Sequence, residues 1–390
     1  MITVDEARAL LLALTAPLGV QEVPLIEAAG RVLARPVSAR RNQPPFDASS
    51  MDGYAMKAAE VERHAMFKVI GEAAAGHAFN GIVGPGQAVR IFTGAPVPKG
   101  ADFVVIQENI TRSGDLITIA DEPGQKDNIR IEGGDFSKGT TIDPPLLLRA
   151  EDIALLAAMN IPTVPVARKP VVALISTGDE LVMPGETPGP DQIIVSNTFG
   201  LKAMLEAAGA QIRIMPIARD TVSSLKTTFD LASGSDLIIT IGGASVGDHD
   251  LVAPVAAELG MERSFYKVAM RPGKPLMAGK LGASAMVGLP GNPVSAMICA
   301  EIFIKPMIRA MLGQDTTQAN LLTAPLTAPL SENGPRQHYM RARLDDDGIA
   351  AFDNQDSAML SVLAQANALM VRPANDPARA IGEMVPYLAL

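Results

Sequence analysis

From Lys169 to Gly313 the chain alternates unbroken apolar runs with helix-like stretches. VVALIS, NTFGLKAMLEAAGA, QIRIMPIA, TVSSLKTTFDLAS and DLIITIGG come first, then FYKVAM, AMVGLP and a long helix from Pro293. No other feature constrains the fold as strongly. A strand that is apolar on both faces must be covered on both faces, and alternation with helices predicts a parallel sheet between helical layers. Ser196 or Asn197 can cap the first of these helices and Gly209 can end it. In such sheets ligands bind beyond the carboxyl ends of the strands, so the residues after each run are the candidates for chemistry.

After VVALI come Ser176, Thr177 and Gly178, then Asp179 and Glu180. After QIRIMPIA come Arg219 and Asp220, and after AMVGL comes Pro290-Gly291-Asn292-Pro293. Pro293 suits a first helical position and Asn292 the cap, and a helix start preceded by glycine is an anion site. The run DLIIT leads into Gly242, Gly243, Ser245, Gly247, Asp248 and Asp250. Glycines let a backbone approach phosphate, yet aspartates repel it. A divalent cation between them removes the conflict: Mg²⁺ takes one or two carboxylates with phosphate oxygens and water. Lys267, Arg271 and Lys274 of KVAMRPGKP supply cations for the remaining anionic oxygens. Ordinary roles compete with these readings, since a post-strand aspartate often caps a helix, as Asp220 before TVSSL can. GASVG also fits a nucleophile elbow at Ser245, but only His338 lies far enough downstream to complete a triad, so that role is set aside. The four histidines form no cluster that suggests zinc.

Outside this region the texture differs. Residues 3–15 and 149–160 look helical, and roughly 36–146 between them is rich in Gly, Pro and short β-type runs. After Gly313, short strands such as HYMRARL and ANALMVRP suggest a small C-terminal β domain. The expected division is 1–35 with 130–168 as a helical and extended linking domain and 36–129 as a β-rich insert. Residues 169–313 form the α/β domain and 314–390 a β-barrel-like end. The fold class is thus multidomain α/β plus β, and the two flanking helices are expected to pack together. The formal net charge of −9, without a basic block, argues against nucleic acid and anionic membranes. No run approaches a membrane span. One cysteine, Cys299, and an acidic amphipathic start unlike a signal peptide fit a reducing cytoplasm.

Seven segments occur in order: PPFDASSMDGYAM, RIFTGAPVPKGAD, IRIEGGDFSKG, STGDEL, GGASVGDHD, MRPGKP and LPGNPVSA. Together they resemble the molybdopterin molybdenumtransferase family, which includes the gephyrin E domain, over nearly the whole chain. The last ~75 residues match mainly by length and texture. The resemblance implies four domains, an elongated homodimer, and insertion of molybdate into adenylylated molybdopterin with Mg²⁺, cleaving a phosphoanhydride and releasing AMP. It implies that the insert of one subunit closes over the α/β domain of the other. It carries catalytic roles to Asp52, Thr93, Glu180, Asp220, Asp250, Lys267, Arg271 and Lys274, with Glu180, Asp220 and Asp250 as the acidic metal side. Pro290 and Pro293 shape the adjoining helix start. Without it, Asp52 before Gly53 and Thr93 before Gly94 read as turn residues.

The alternatives are a molybdopterin adenylyltransferase, which leaves the MDGYA insert unexplained, and a gephyrin-like scaffold, which needs no acidic and basic crevice. The adenylyltransferase and molybdoenzyme chaperones are the protein partners the resemblance suggests.

Overall fold

The computed structural model describes residues 1–243, 251–316 and 321–390. The chain divides into two compact units: Met1–Gln21 with Ala167–Leu390, and Glu22–Val166. The helices are α1 (Val4–Ala13), α2 (Ala150–Ala158), α3 (Asn197–Ala207), α4 (Val222–Leu231), α5 (Val252–Glu258), α6 (Pro293–Cys299), α7 (Lys305–Met311) and α8 (Leu360–Gln365). A π-helical segment, Ala300–Ile304, joins α6 to α7.

In the first unit a six-stranded sheet runs Gln211–Ile214, Val171–Ser176, Leu237–Ile241, Ser284–Leu289, Met277–Leu281, Glu262–Tyr266. The first four strands are parallel. Met277–Leu281 then runs antiparallel to both its neighbours and adds a mixed edge to the expected parallel sheet. The cause is loop length. Leu281 pairs with Ser284 across a two-residue turn containing Gly282 at φ +59, and so short a link can join only antiparallel neighbours.

Alternation along the strands feeds two layers. Ala173, Ile175, Ile238 and Met286 share a core with Leu225 and Phe229 of α4 and Val252 and Val255 of α5. Val172, Leu174, Leu237 and Ile239, equally buried, turn to the other face, where α3 and α6 lie. Ser196 stands at the cap position of α3 but its side chain makes no capping hydrogen bond, whereas the helix ends as expected. Gly209 at φ +100 follows the last turn, the Gly209 N–H donates to Glu206 O, and the Ala210 N–H donates to Leu205 O.

Helix α1 is closed by a capping box: Thr3 Oγ1 accepts from the Glu6 N–H while the Glu6 carboxylate accepts from the Thr3 N–H. It packs against α7. The first 21 residues therefore belong with the α/β unit, whereas the sequence had grouped this helix with α2. Ile2 also bridges Val268.

After α7 the chain forms a ring of antiparallel strand pairs closed by one parallel bridge. Leu322–Pro325, Met384–Ala389, Ala368–Arg372, Gln337–Asp345 and Gly348–Ala351 pair in that order. Leu326 bridges Ile349 and closes it in the barrel-like manner expected. Its core holds Leu326, Ile349, Met370 and Tyr387.

The second unit is built on a six-stranded sheet ordered Phe103–Ile106, Gly53–Met56, Gln87–Ile91, Met66–Ala73, Leu116–Ile119, Ile110–Ser113. Its residues alternate between two cores, Tyr54, Met56 and Val105 in one, Ala55, Ile91 and Val104 in the other. A third core gathers Leu33, Leu148, Leu156 of α2 and Val166. Among the described residues no helix is long and apolar enough to cross a membrane.

Candidate active site

Register brings the site together. Ser176 pairs with Ile241, and Ile241 with Leu289, so three parallel strands end level. Thr177 bridges Ala218 on the other side. Four loops therefore leave the sheet side by side: 218–220, 177–180, 242–243 and 290–293. Hydrogen bonds continue the ladder past the strand ends, from Gly178 N–H to Ala218 O, Thr177 N–H to Ile241 O, and Gly242 N–H to Leu289 O, each 3.1 Å. Chain order reverses around Val171–Ser176, which has Gln211–Ile214 on one side and Leu237–Ile241 on the other. That is the switch point where open α/β sheets hold ligands.

A crevice of about 780 Å³ lies there. Its floor is Ser176, Thr177, Gly178, Gly242 and Gly243, with Glu180 and Asp220 along one side and Pro290, Gly291, Asn292 and Pro293 along another. These eleven residues, proposed separately from the sequence, meet in one place. Two glycines are needed by geometry. A Cβ on Gly178, at φ +144, would stand 2.3 Å from Glu180 Oε2, and one on Gly242, at φ +91, would meet Thr177 O and Oγ1 at 3.1 Å. The backbone thus leaves room for the Glu180 carboxylate.

Neither the Glu180 nor the Asp220 carboxylate has a hydrogen-bond or ion-pair partner among the described residues. Capping does not account for Asp220, because Thr221 caps α4 through the Ser224 N–H. Asp179 accepts the Asp220 N–H at 3.3 Å, and Arg219 Nη1 donates to Asp179 O at 3.0 Å and Leu181 O at 3.3 Å. The two neighbours shape the loop and leave the Asp220 carboxylate open. Asn292 stands at the cap position of α6 but turns its amide to Ser357 Oγ, 3.0 Å away. The Val294 N–H goes to Ser357 O, so this helix start offers fewer free donors than the sequence implied. Asn197 at the start of α3 donates to Gly291 O at 2.7 Å and ties the two helix starts together.

The basic residues lie apart from the crevice lining, which includes Pro275 of their loop. Lys267, at φ +72, sets Nζ 5.2 Å from the Tyr266 ring centroid. Arg271 is exposed and lines a second, polar cavity of about 490 Å³ with His338 and Arg372. Lys274 is exposed, and its carbonyl accepts the Val268 N–H at 3.0 Å. Burial, then Arg271, Arg372, Arg341 and Arg336, push His338 down to about 4. Ser245, Gly247, Asp248 and Asp250 fall outside the described residues. No group of three or more His, Cys, Asp or Glu side chains able to hold a metal occurs among the described residues.

In the second unit Asp52 and Thr93 meet although 41 residues separate them. Asp52 Oδ1 accepts the Thr93 N–H and hydroxyl, each at 2.8 Å. Those two bonds, with Arg90 nearby, hold the Asp52 carboxyl below the usual carboxylate range. Arg90 stacks between Tyr54 and Phe92 and donates to Gly53 O at 3.1 Å, which braces the turn.

Sequence reasoning missed several lining residues. Leu181, Ile193, Ile194 and Val195 form an apolar wall, and Ala358 arrives from the C-terminal domain. The IIV run before Ser196 was a usable signal, whereas nothing local marks Ala358.

A crevice at the carboxyl ends of parallel strands, flanked by helix starts, places the chain in the class of open α/β ligand-binding folds. Comparison narrows the class. Family models describe residues 2–160 as "MoeA N-terminal region (domain I and II)", 173–310 as "Probable molybdopterin binding domain" and 323–390 as "MoeA C-terminal region (domain IV)". A molybdopterin molybdenumtransferase of Nostoc sp. is 35% identical over 384 residues, covering 94% of this chain and 88% of the relative. One from Bacillus subtilis is 32% identical over 394 residues, covering 94% and 89%. The crystal structure of a molybdopterin biosynthesis MoeA protein from Pyrococcus horikosii aligns with TM-score 0.86 at 29% identity, covering 100% of this chain and 99% of that one. The chain belongs to the molybdopterin molybdenumtransferase family, a family of transferases.

Proposed function

We propose that this chain acts in molybdenum-cofactor synthesis by inserting molybdate into adenylylated molybdopterin, cleaving the phosphoanhydride and releasing AMP in a Mg²⁺-dependent reaction. The observation that carries the reading is the pair Glu180 and Asp220, two carboxylates without partners among the described residues, facing a glycine floor and hydroxyls. Hard oxygen donors in that number fit Mg²⁺, which keeps waters and phosphate oxygens in its shell. Bound there, the ion would neutralise charge on the phosphoanhydride.

The remaining work belongs to the chain's own groups. Ser176 and Thr177 hydroxyls and the Gly242 and Gly243 backbone orient the phosphates. Glu180 and Asp220 hold the cation, with Asp250 as a third candidate. Lys267, Arg271 and Lys274, on the loop that sends Pro275 into the crevice lining, bring positive charge toward molybdate, a tetrahedral dianion and a substrate of the reaction. Asp52, kept ionised by Thr93, serves from the insert of a partner subunit in a homodimer. Catalysis is then mostly positioning and charge stabilisation.

Asp220→Ala and Asp250→Ala should each release AMP at least 100-fold more slowly with molybdate present, while the protein stays folded. Normal turnover in both would defeat the reading. Sharing between subunits is tested by mixing Asp52→Asn with Lys274→Ala: verified heterodimers should regain activity, and failure to do so argues for sites within one subunit.

A further inference from the structure

Arg341, in Gln337–Asp345, is among the described residues the largest side chain that is fully buried, at 1% exposure. A guanidinium keeps its charge and presents donors in a fixed fork, so a buried one is explained by what those donors meet. Arg341 directs them to one segment. Its N–H and Nε donate to Gln355 Oε1 at 3.0 and 3.3 Å, and Nη1 donates to Asp356 O at 2.8 Å and Met359 O at 3.5 Å. Gln355 Nε2 answers by donating to Arg341 O at 2.9 Å and Phe352 O at 2.8 Å. Asp356 Oδ1 accepts the Ala358 N–H at 2.8 Å and tightens the turn.

The segment held this way reaches out of the C-terminal β domain to the start of α6. Ser357 O accepts the Val294 N–H at 3.1 Å, Ser357 Oγ accepts from Asn292 Nδ2 at 3.0 Å, and Ala358 lines the crevice. We infer that Arg341 is a positioning residue that clamps 355–359 so that Ser357 stays tied to the start of α6 and Ala358 closes one end of the substrate crevice. The C-terminal domain is then a wall of the site. The inference rests on the crevice being where the substrate binds. A wall contributes to substrate binding rather than to bond breaking, so its loss raises KM and spares kcat.

The test uses the full chain with adenylylated molybdopterin and molybdate. Arg341→Met should raise KM for adenylylated molybdopterin tenfold or more, change kcat less than threefold, and speed deuterium exchange at the Val294 amide at least tenfold. Arg341→Lys should not restore KM, because one ammonium cannot reach both Gln355 and the Asp356 and Met359 carbonyls. Gln355→Leu should give the same split at smaller size, and it decides the matter if Arg341→Met does not fold. Gln355→Leu combined with Asn292→Ala should raise KM by less than the product of the separate effects, since both release one segment. Unchanged KM with a protected Val294 amide, a loss confined to kcat, or fully multiplicative effects would overturn the inference. Asp220→Ala, measured alongside, separates the failures. If it is impaired while Gln355→Leu keeps a normal KM, only the role of Arg341 falls. If it too turns over normally, the crevice reading has failed.

Discussion

The two regions that carry acidic candidates treat their carboxylates in opposite ways. In the crevice, Glu180 and Asp220 stand without partners among the described residues, and Gly178 leaves space beside one of them. In the β-rich unit, Asp52 takes two hydrogen bonds on one oxygen from Thr93, and Arg90 braces its turn. An open carboxylate is suited to a partner that arrives from solution. A carboxylate already satisfied on one oxygen is suited to keeping its charge and its direction. On the proposed function, the difference separates groups that would bind from a group that would be aimed.

The largest expected effect comes from the open pair. Glu180→Ala with Asp220→Ala should lower AMP release by about 10³-fold or more with little loss of stability, because both side chains are exposed. Assays of AMP release and thermal melting check both parts, and a fall in melting temperature that tracks the activity would make the pair structural. Next is Gly178→Ala. Its Cβ would collide with Glu180 Oε2, so activity should drop about ten- to a hundredfold through displacement of the carboxylate, measurable as kcat/KM. Equal activity would mean that Glu180 is not held where it acts.

Thr93→Val tests the aimed group. Removing the hydroxyl donor raises the Asp52 pKa toward its ordinary value, so the acid limb of the pH–rate profile should move to higher pH, with only a several-fold loss at its plateau. An unmoved limb would detach Asp52 from the rate. The smallest effect on activity is expected at His338, a buried group outside both regions. Its folded pKa of about 4 lies below the unfolded value of 6.5. The unfolded chain therefore takes up the proton first as pH falls. Stability present above pH 6.5 is lost between 6.5 and 4, on the order of 3 kcal/mol. His338→Gln should flatten that slope in denaturant titrations, whereas Thr93→Val should leave it in place.

How far the sequence could be read depends on the range of the interaction. Apolar runs, caps and post-strand glycines are local, so the parallel strands, the Gly209 helix end and the floor at Ser176, Thr177 and Gly242 were legible. Sheet direction at the edge was set by a two-residue turn at Gly282, which an apolar run such as AMVGLP does not signal. The partition of α1 depended on its packing with α7, nearly 300 residues on in the chain. Asp220 looked like a cap because aspartate suits caps, and only the structure shows Thr221 holding the Ser224 N–H. The Asp52–Thr93 pair and the Arg341 clamp join distant segments through side chains, and no local pattern encodes such meetings. The motif resemblance reached Asp52 and Thr93 where local reasoning gave ordinary turns.

The central claim is that a metal-bridged pyrophosphate sits at the carboxyl ends of the parallel strands. A crystal of the protein soaked with adenylylated molybdopterin and magnesium tests it most directly. The predicted result is density for the phosphates over Thr177, Gly178 and Gly242, with a cation between them and the Glu180 and Asp220 carboxylates. Phosphates seated instead in the cavity beside Arg271 and His338, with Glu180 and Asp220 facing only water, would contradict it.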